Sequence, residues 1–140
     1  KWVNNLIKIF RQSSSKEFGW YFDFRVNKNK IQFKILEFAV AIRSHFLQLP
    51  YGDQGLLIHK EKYNKIGGFK PFHIMEDLDF ILRAKKESSI KSIGVPIFTD
   101  SRKWQHSNII KQSLKNMYLR YQWRKGIPTA ILHRKYYSDQ

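Results

Sequence analysis

Three carboxylates in four positions, Glu76, Asp77 and Asp79, stand in a chain that otherwise runs to 26 Lys and Arg against 11 Asp and Glu, a formal charge of +15. A cluster of this kind is not a by-product of an acidic composition. One of its carboxylates can take a proton from an attacking hydroxyl, as general-base catalysis requires. If the segment opens a helix, Glu76 and Asp79 share a face while Asp77 points elsewhere, so the three need not have one task. The competing reading is a solvated helix start whose charges suit the positive end of the helix dipole.

Two further segments give the cluster a context. Gly52-Asp53-Gln54-Gly55 begins a turn 23 residues before Glu76 when counted from Asp53, and the basic-aromatic segment Ser101-Arg102-Lys103-Trp104 starts 25 residues after it. Asp53 and Gln54 can hydrogen-bond a polar ligand, support the acidic loop, or simply complete a turn after Pro50-Tyr51. Trp104 reads equally as a core anchor. The five histidines, His45, His59, His73, His106 and His133, have no tight ligand spacing and cysteine is absent, which argues against a structural zinc site. His73 lies near the acidic loop and reads as a packing or loop hydrogen-bonding residue. Gly67-Gly68 is too short and wrongly placed for a phosphate loop and reads as a helix stop.

The elements that must position these residues follow from periodicity. Trp2, Val3, Leu6, Ile7 and Phe10 predict an amphipathic opening helix that ends near Ser13-Ser14-Ser15. Phe18 to Val26 predicts a strand with Trp20, Phe22, Phe24 and Val26 on one side. Ile31 to Leu49 is long and continuously apolar, which predicts a largely buried helix stopped by Pro50. A strand over Leu56 to His59 and a short helix over Lys60 to Ile66 follow, with Phe69 packing back on that helix after Gly67-Gly68. A helix over Glu76 to Ser88 puts Leu78, Ile81 and Leu82 inward. Ile90 to Val95 predicts a weak strand, with a separate extended piece over Ile97 to Thr99. Asn108 to Arg124 predicts a helix with an apolar stripe and a basic remainder, broken by Gly126 and Pro128, and Thr129 is placed to cap a last helix through Tyr136.

A chain of 140 residues with 42% apolar content and 16% aromatics supports one compact domain and excludes a disordered chain. Without cysteine there is neither a disulfide scaffold nor thiolate chemistry. The longest apolar runs are far too short to span a membrane. The excess positive charge attracts polyanions, anionic lipid surfaces or phosphorylated substrates, and it concentrates at one end: between Ser101 and Ser138 there are nine Lys or Arg and no Asp or Glu. The chain opens on Lys1 with no secretory leader, which leads to the expectation of an internal piece of a longer protein.

Through Leu49-Pro50-Tyr51-Gly52-Asp53-Gln54-Gly55-Leu56, Gly67-Gly68-Phe69, Met75-Glu76-Asp77-Leu78-Asp79 and Ser101-Arg102-Lys103-Trp104, in that order and spacing, the chain resembles the C-terminal portion of family 2 glycosyltransferases, in the subgroup termed arsenosugar-biosynthesis glycosyltransferase-like proteins. The resemblance runs from about Gly19 to Tyr137. It implies an α/β fold, the C-terminal part of the GT-A (Rossmann-like α/β/α) architecture, with residues 106–140 as a helical basic tail packed on it. Residues 1–140 would then be a single incomplete domain, the acceptor and catalytic-base half. The implied reaction is inverting transfer of a sugar from a nucleotide-sugar donor to an acceptor hydroxyl.

By the same resemblance Asp77 is the base and Glu76 orients the site or contacts the acceptor. Asp53 and Gln54 bind the sugar or support the Asp77 loop, and Asp79 binds substrate. Arg102 and Lys103 offset charge on the diphosphate leaving group, and Trp104 packs on a sugar face. Lys103 stands where an arginine is expected, keeping the charge but losing the planar fork. A divalent cation, Mn or Mg, is expected in the full-length enzyme, ligated mainly by an N-terminal half with no counterpart here. These residues alone are therefore expected to be inactive, to self-associate through an exposed sheet edge, and to sit in the cytoplasm, at the inner face of the membrane if the acceptor is lipid-linked. The alternative reading is a basic module that binds nucleic acid through Lys111, Lys115, Arg120, Arg124, Lys125, Arg134 and Lys135, or that lies on a membrane surface.

Overall fold

The computed structural model describes residues 17–104 and 109–138, together with Ile7. The expected opening helix lies outside the described residues except for Ile7, which is helical. The chain is α/β. Among the described residues a three-stranded mixed sheet has the order β2-β1-β3, with β1 (Gly19–Val26) in the centre, antiparallel to β2 (Leu56–Ile58) and parallel to β3 (Ile90–Thr99). Among the residues from 17 onward that are described, five α-helices accompany it: α1 (Ile31–His45), α2 (Lys60–Lys65), α3 (Glu76–Glu87), α4 (Ile109–Arg124) and α5 (Thr129–Tyr137).

The central place of β1 explains its composition. Gly19, Trp20 and Tyr21 are buried in succession, and only from Phe24 onward does the strand alternate, with Phe24 and Val26 buried and Arg25 exposed. One-sided alternation is thus confined to its second half, because the first is covered on both faces. At Gly19 the β2 backbone comes so close that a Cβ would stand 2.7 Å from the Leu57 carbonyl oxygen. Glycine is the residue that permits this approach.

The two extended pieces expected over Ile90 to Val95 and Ile97 to Thr99 are one strand. Both halves of β3 pair with β1, Tyr21 opposite Ser92 and Asp23 opposite Pro96, and the surplus residues between them form a bulge where Gly94 takes φ 71°. Lys91 and Ser92 weakened the sequence signal because this is a bulged edge strand, half exposed along its length.

Two departures concern α1. It ends at His45, before Pro50 is reached: Phe46 closes the last turn on the Ile42 carbonyl, and Gln48 reverses the chain at φ 51°. Nor is it largely buried. Phe33, Glu37, Val40 and Ser44 face the sheet, whereas Ile31, Ile35, Phe38 and Ile42 form an exposed stripe. Continuous hydrophobicity carries no information about which side is covered, and burial follows the narrower stripe that meets Phe24 and Val26.

The main core gathers Phe18, Tyr21, Leu49, Leu78, Phe80, Ile81, Ala84 and Ile90 between the sheet and α3. α2 ends as the glycine pair predicts. Gly67 N–H donates to Asn64 O at 3.0 Å and Gly68 N–H to Tyr63 O at 2.9 Å, the paired bonds of a Schellman stop. Phe69 returns to Tyr63 with ring centroids 5.8 Å apart, and both rings pack on Phe80. Thr129 does not cap α5: Pro128 holds the cap position, its carbonyl accepting from Ile131 and Leu132, and Thr129 is the first helical residue. Leu119 of α4 and Leu132 of α5 are buried, and Trp123 packs against the main core.

Candidate active site

The acidic cluster sits at the N-terminus of α3, entered through Met75 at φ 68°, ψ 13°, left-handed backbone that side-chain-bearing residues rarely adopt. Strain of this kind persists where the surroundings fix the chain, and it collects at functional sites. Here it is held by Asp79 N–H donating to Met75 O at 2.9 Å. Asp77, in the first turn of α3, is held by two backbone groups. Its Oδ1 accepts the N–H of Leu78 at 2.7 Å and its Oδ2 accepts the N–H of Gly52 at 3.0 Å. Both oxygens are oriented by backbone, and each retains a lone pair for a ligand.

The turn that supplies Gly52 is anchored from beneath. Gln54, 1% exposed, donates to Phe22 O at 3.2 Å and accepts from Ser44 Oγ at 2.6 Å and from Arg43 Nη2 at 3.1 Å, tying the turn to β1 and α1. Asp53 on the exposed side lies 3.6 Å from Arg43. The Arg43 guanidinium stacks 3.8 Å from the Tyr51 ring centroid, and Arg120 of α4 lies 5.4 Å from the same centroid. Desolvation lowers the affinity of Arg43 for its proton, and Asp53 and Tyr51 work in the opposite direction.

Asp79, two residues beyond Asp77, is bound up in the fold. Arg83 Nε donates to its Oδ2 at 2.8 Å, and Lys70 lies 3.4 Å from its Oδ1. The same guanidinium donates to Gly68 O at 2.7 Å and to Ile66 O, so one arginine joins α3 to the end of α2.

Between the acidic turn and the C-terminal helices opens a cleft of about 420 Å³. Glu76, Asp77 and Tyr51 line one side, Asn116 and Arg120 of α4 and Tyr136 and Tyr137 of α5 the other, with His73 and Met75 at its edge. His133 links the edges, its ring 5.9 Å from that of His73 and 4.7 Å from that of Tyr137. Two carboxylates, one guanidinium and several aromatic faces around a space of this size suit a polyhydroxylated ligand.

The structure therefore brings Glu76 and Asp77 together on the cleft and sets Asp53 and Gln54 behind them. Arg102 follows β3 and is held by Asp100, its Nε donating to Asp100 Oδ2 at 2.6 Å; that contact lowers the carboxyl pKa of Asp100 and raises the pKa of Arg102. The backbone of Lys103 and Trp104 continues the same 3-10 turn, and their side chains lie outside the described residues. Tyr51, Arg120, Asn116, Tyr136 and Tyr137 were not singled out for the cleft from sequence. The spacing of Asn116, Leu119, Arg120 and Trp123 on one helical face was the available signal for α4.

Among the described residues no three His, Cys, Asp or Glu side chains are grouped so as to hold a metal ion. Glu76 and the backbone-anchored Asp77 are a donor set too small to hold a divalent cation unaided. No family model, curated protein or solved structure matches the chain.

Proposed function

We propose that this chain carries the acceptor side and the catalytic base of an inverting GT-A glycosyltransferase. The observation that supports the reading most directly is the division of labour in the acidic cluster. Glu76 and Asp77 face the cleft, with Asp77 oriented by Gly52 and Leu78, whereas Asp79 is engaged by Arg83 and Lys70.

In this reading an acceptor hydroxyl lies against Asp77, which takes its proton as the oxygen attacks the anomeric carbon of the donor. The bond from that carbon to the diphosphate breaks on the opposite face, the configuration inverts, and a nucleoside diphosphate leaves. Glu76 orients the acceptor. Arg120 is the cation that meets the leaving charge from the α4 side, the place the resemblance gave to Arg102 and Lys103. Gln54 and Asp53 position the Gly52 turn. The expected divalent cation would be held mainly by residues outside this chain, and no step here is routed through it.

The test is nucleoside diphosphate release by the full-length protein over a panel of nucleotide sugars with Mg²⁺ or Mn²⁺ and sugar or lipid acceptors. Donor-specific release that Asp77→Asn abolishes is the expected result. A folded protein that releases nothing from any donor overturns the reading.

A further inference from the structure

We propose that the outward face of α4 seats this protein on an anionic membrane surface. The helix has an inward side of mixed character and an apolar outward side. Asn116, Leu119, Arg120 and Trp123 recur at helical spacing and face inward, Leu119 buried, Trp123 against the main core, and Asn116 and Arg120 on the cleft. Leu114, Met117, Tyr118 and Tyr121 recur at the same spacing on roughly the opposite side, and each is 55% to 58% exposed. A helix that has buried one face in a core ordinarily presents polar residues on the other.

The flanks identify the occupant. Lys111, Arg124 and Lys125 on α4 and Arg134 and Lys135 on α5 are all exposed, and no Asp or Glu occurs between Ser101 and Ser138. An apolar strip bordered by cations, with tyrosines whose rings sit at headgroup level, is the pattern of a helix lying in the interface of an anionic bilayer. A second copy of the chain would bring a formal charge of +15 against +15, which opposes self-docking through this face. A nucleic acid would satisfy the cations and leave Leu114 and Met117 in water. The contact is peripheral, because no described helix is long and apolar enough to cross a membrane.

Since the cleft and the strip lie on opposite sides of α4, docking would hold the cleft about one helix diameter, roughly 10 Å, from the headgroups. The proposal does not depend on the chemistry in the cleft.

The experiment is flotation of the full chain with phosphatidylcholine vesicles that contain or lack phosphatidylglycerol, at low and high salt. The expected result is flotation with the anionic vesicles alone, weakened by salt and reduced about tenfold or more by Leu114→Ser with Met117→Ser. A second variant, Lys111→Gln with Arg124→Gln and Lys125→Gln, is expected to give a similar loss and keeps the test decisive should the first variant fold poorly. Absence of flotation overturns the proposal, as does undiminished flotation of the Ser variant. A solution dimer dissolved by the same Ser substitutions, or an oligonucleotide bound in preference to the vesicles, overturns it in favour of a second copy or a nucleic acid.

Discussion

Asp77 accepts the backbone N–H of Gly52 at 3.0 Å, a bond that joins the start of α3 to a turn 25 residues earlier in the chain. The carboxylate thus both lines a cleft and clasps two loops together. Substituting it tests both roles at once, and they separate by readout.

Asp77→Asn keeps one oxygen for one backbone N–H but sets an amide NH₂ against the other. The expected loss of stability is about 1 kcal/mol, read from chemical denaturation. Turnover in the nucleotide-release assay is expected to fall about 10²-fold or more, since a general base typically contributes that much. A variant that loses stability but retains turnover would make Asp77 a clasp alone.

Glycine is required at Gly19 and not at Gly52. A Cβ at Gly52 would meet Asp77 Oδ2 at 3.6 Å, ordinary van der Waals contact, whereas at Gly19 it would stand 2.7 Å from Leu57 O and 2.9 Å from Ile58 Cγ1. Gly52→Ala should therefore fold with near-native stability. Gly19→Ala should lose about 1–3 kcal/mol as β2 is displaced. Thermal melts of the two variants compare them directly.

Arg83 should matter for stability and not for chemistry. Removing it in Arg83→Ala leaves Asp79, largely buried, with Lys70 as its remaining ion-pair partner, and releases the carbonyls of Ile66 and Gly68. A loss of about 3 kcal/mol is expected from breaking a buried pair on one side. The folded fraction should keep its turnover, which activity normalised to folded protein measures.

Glu37 makes part of the stability pH-dependent. Burial opposes its ionisation, but the Val26 N–H at 2.8 Å, with Lys34 and Arg25, outweighs that, and its carboxyl is held below the ordinary 4.5. A carboxyl depressed by folding contributes stability that is complete above its unfolded pKa and lost as pH falls through the folded one. Denaturation midpoints measured from neutral pH downward should fall off below about pH 4.5, more steeply in the native chain than in Glu37→Gln. Parallel curves for the two proteins would remove Glu37 from the acid response.

Much of the element order was legible in the chain because local chemistry dictates it. The 3.6-residue spacing of Leu78, Ile81 and Leu82 defines α3, the Gly67-Gly68 pair ends α2, and the run from Gly19 to Val26 is β1 whatever surrounds it. The acidic cluster stood out for the same reason, as an excess of one charge in a chain of the other. Nothing local could say that Asp77 faces a cleft while Asp79, two residues on, is engaged by Arg83, since that depends on where α2 and the Gly52 turn arrive in space. Nor could it join the two halves of β3, which β1 pairs across a bulge. The exposed stripe of α1 and the two-sided character of α4 are of the same kind. Sequence counts apolar residues on a helix, and only packing partners decide which of them are covered.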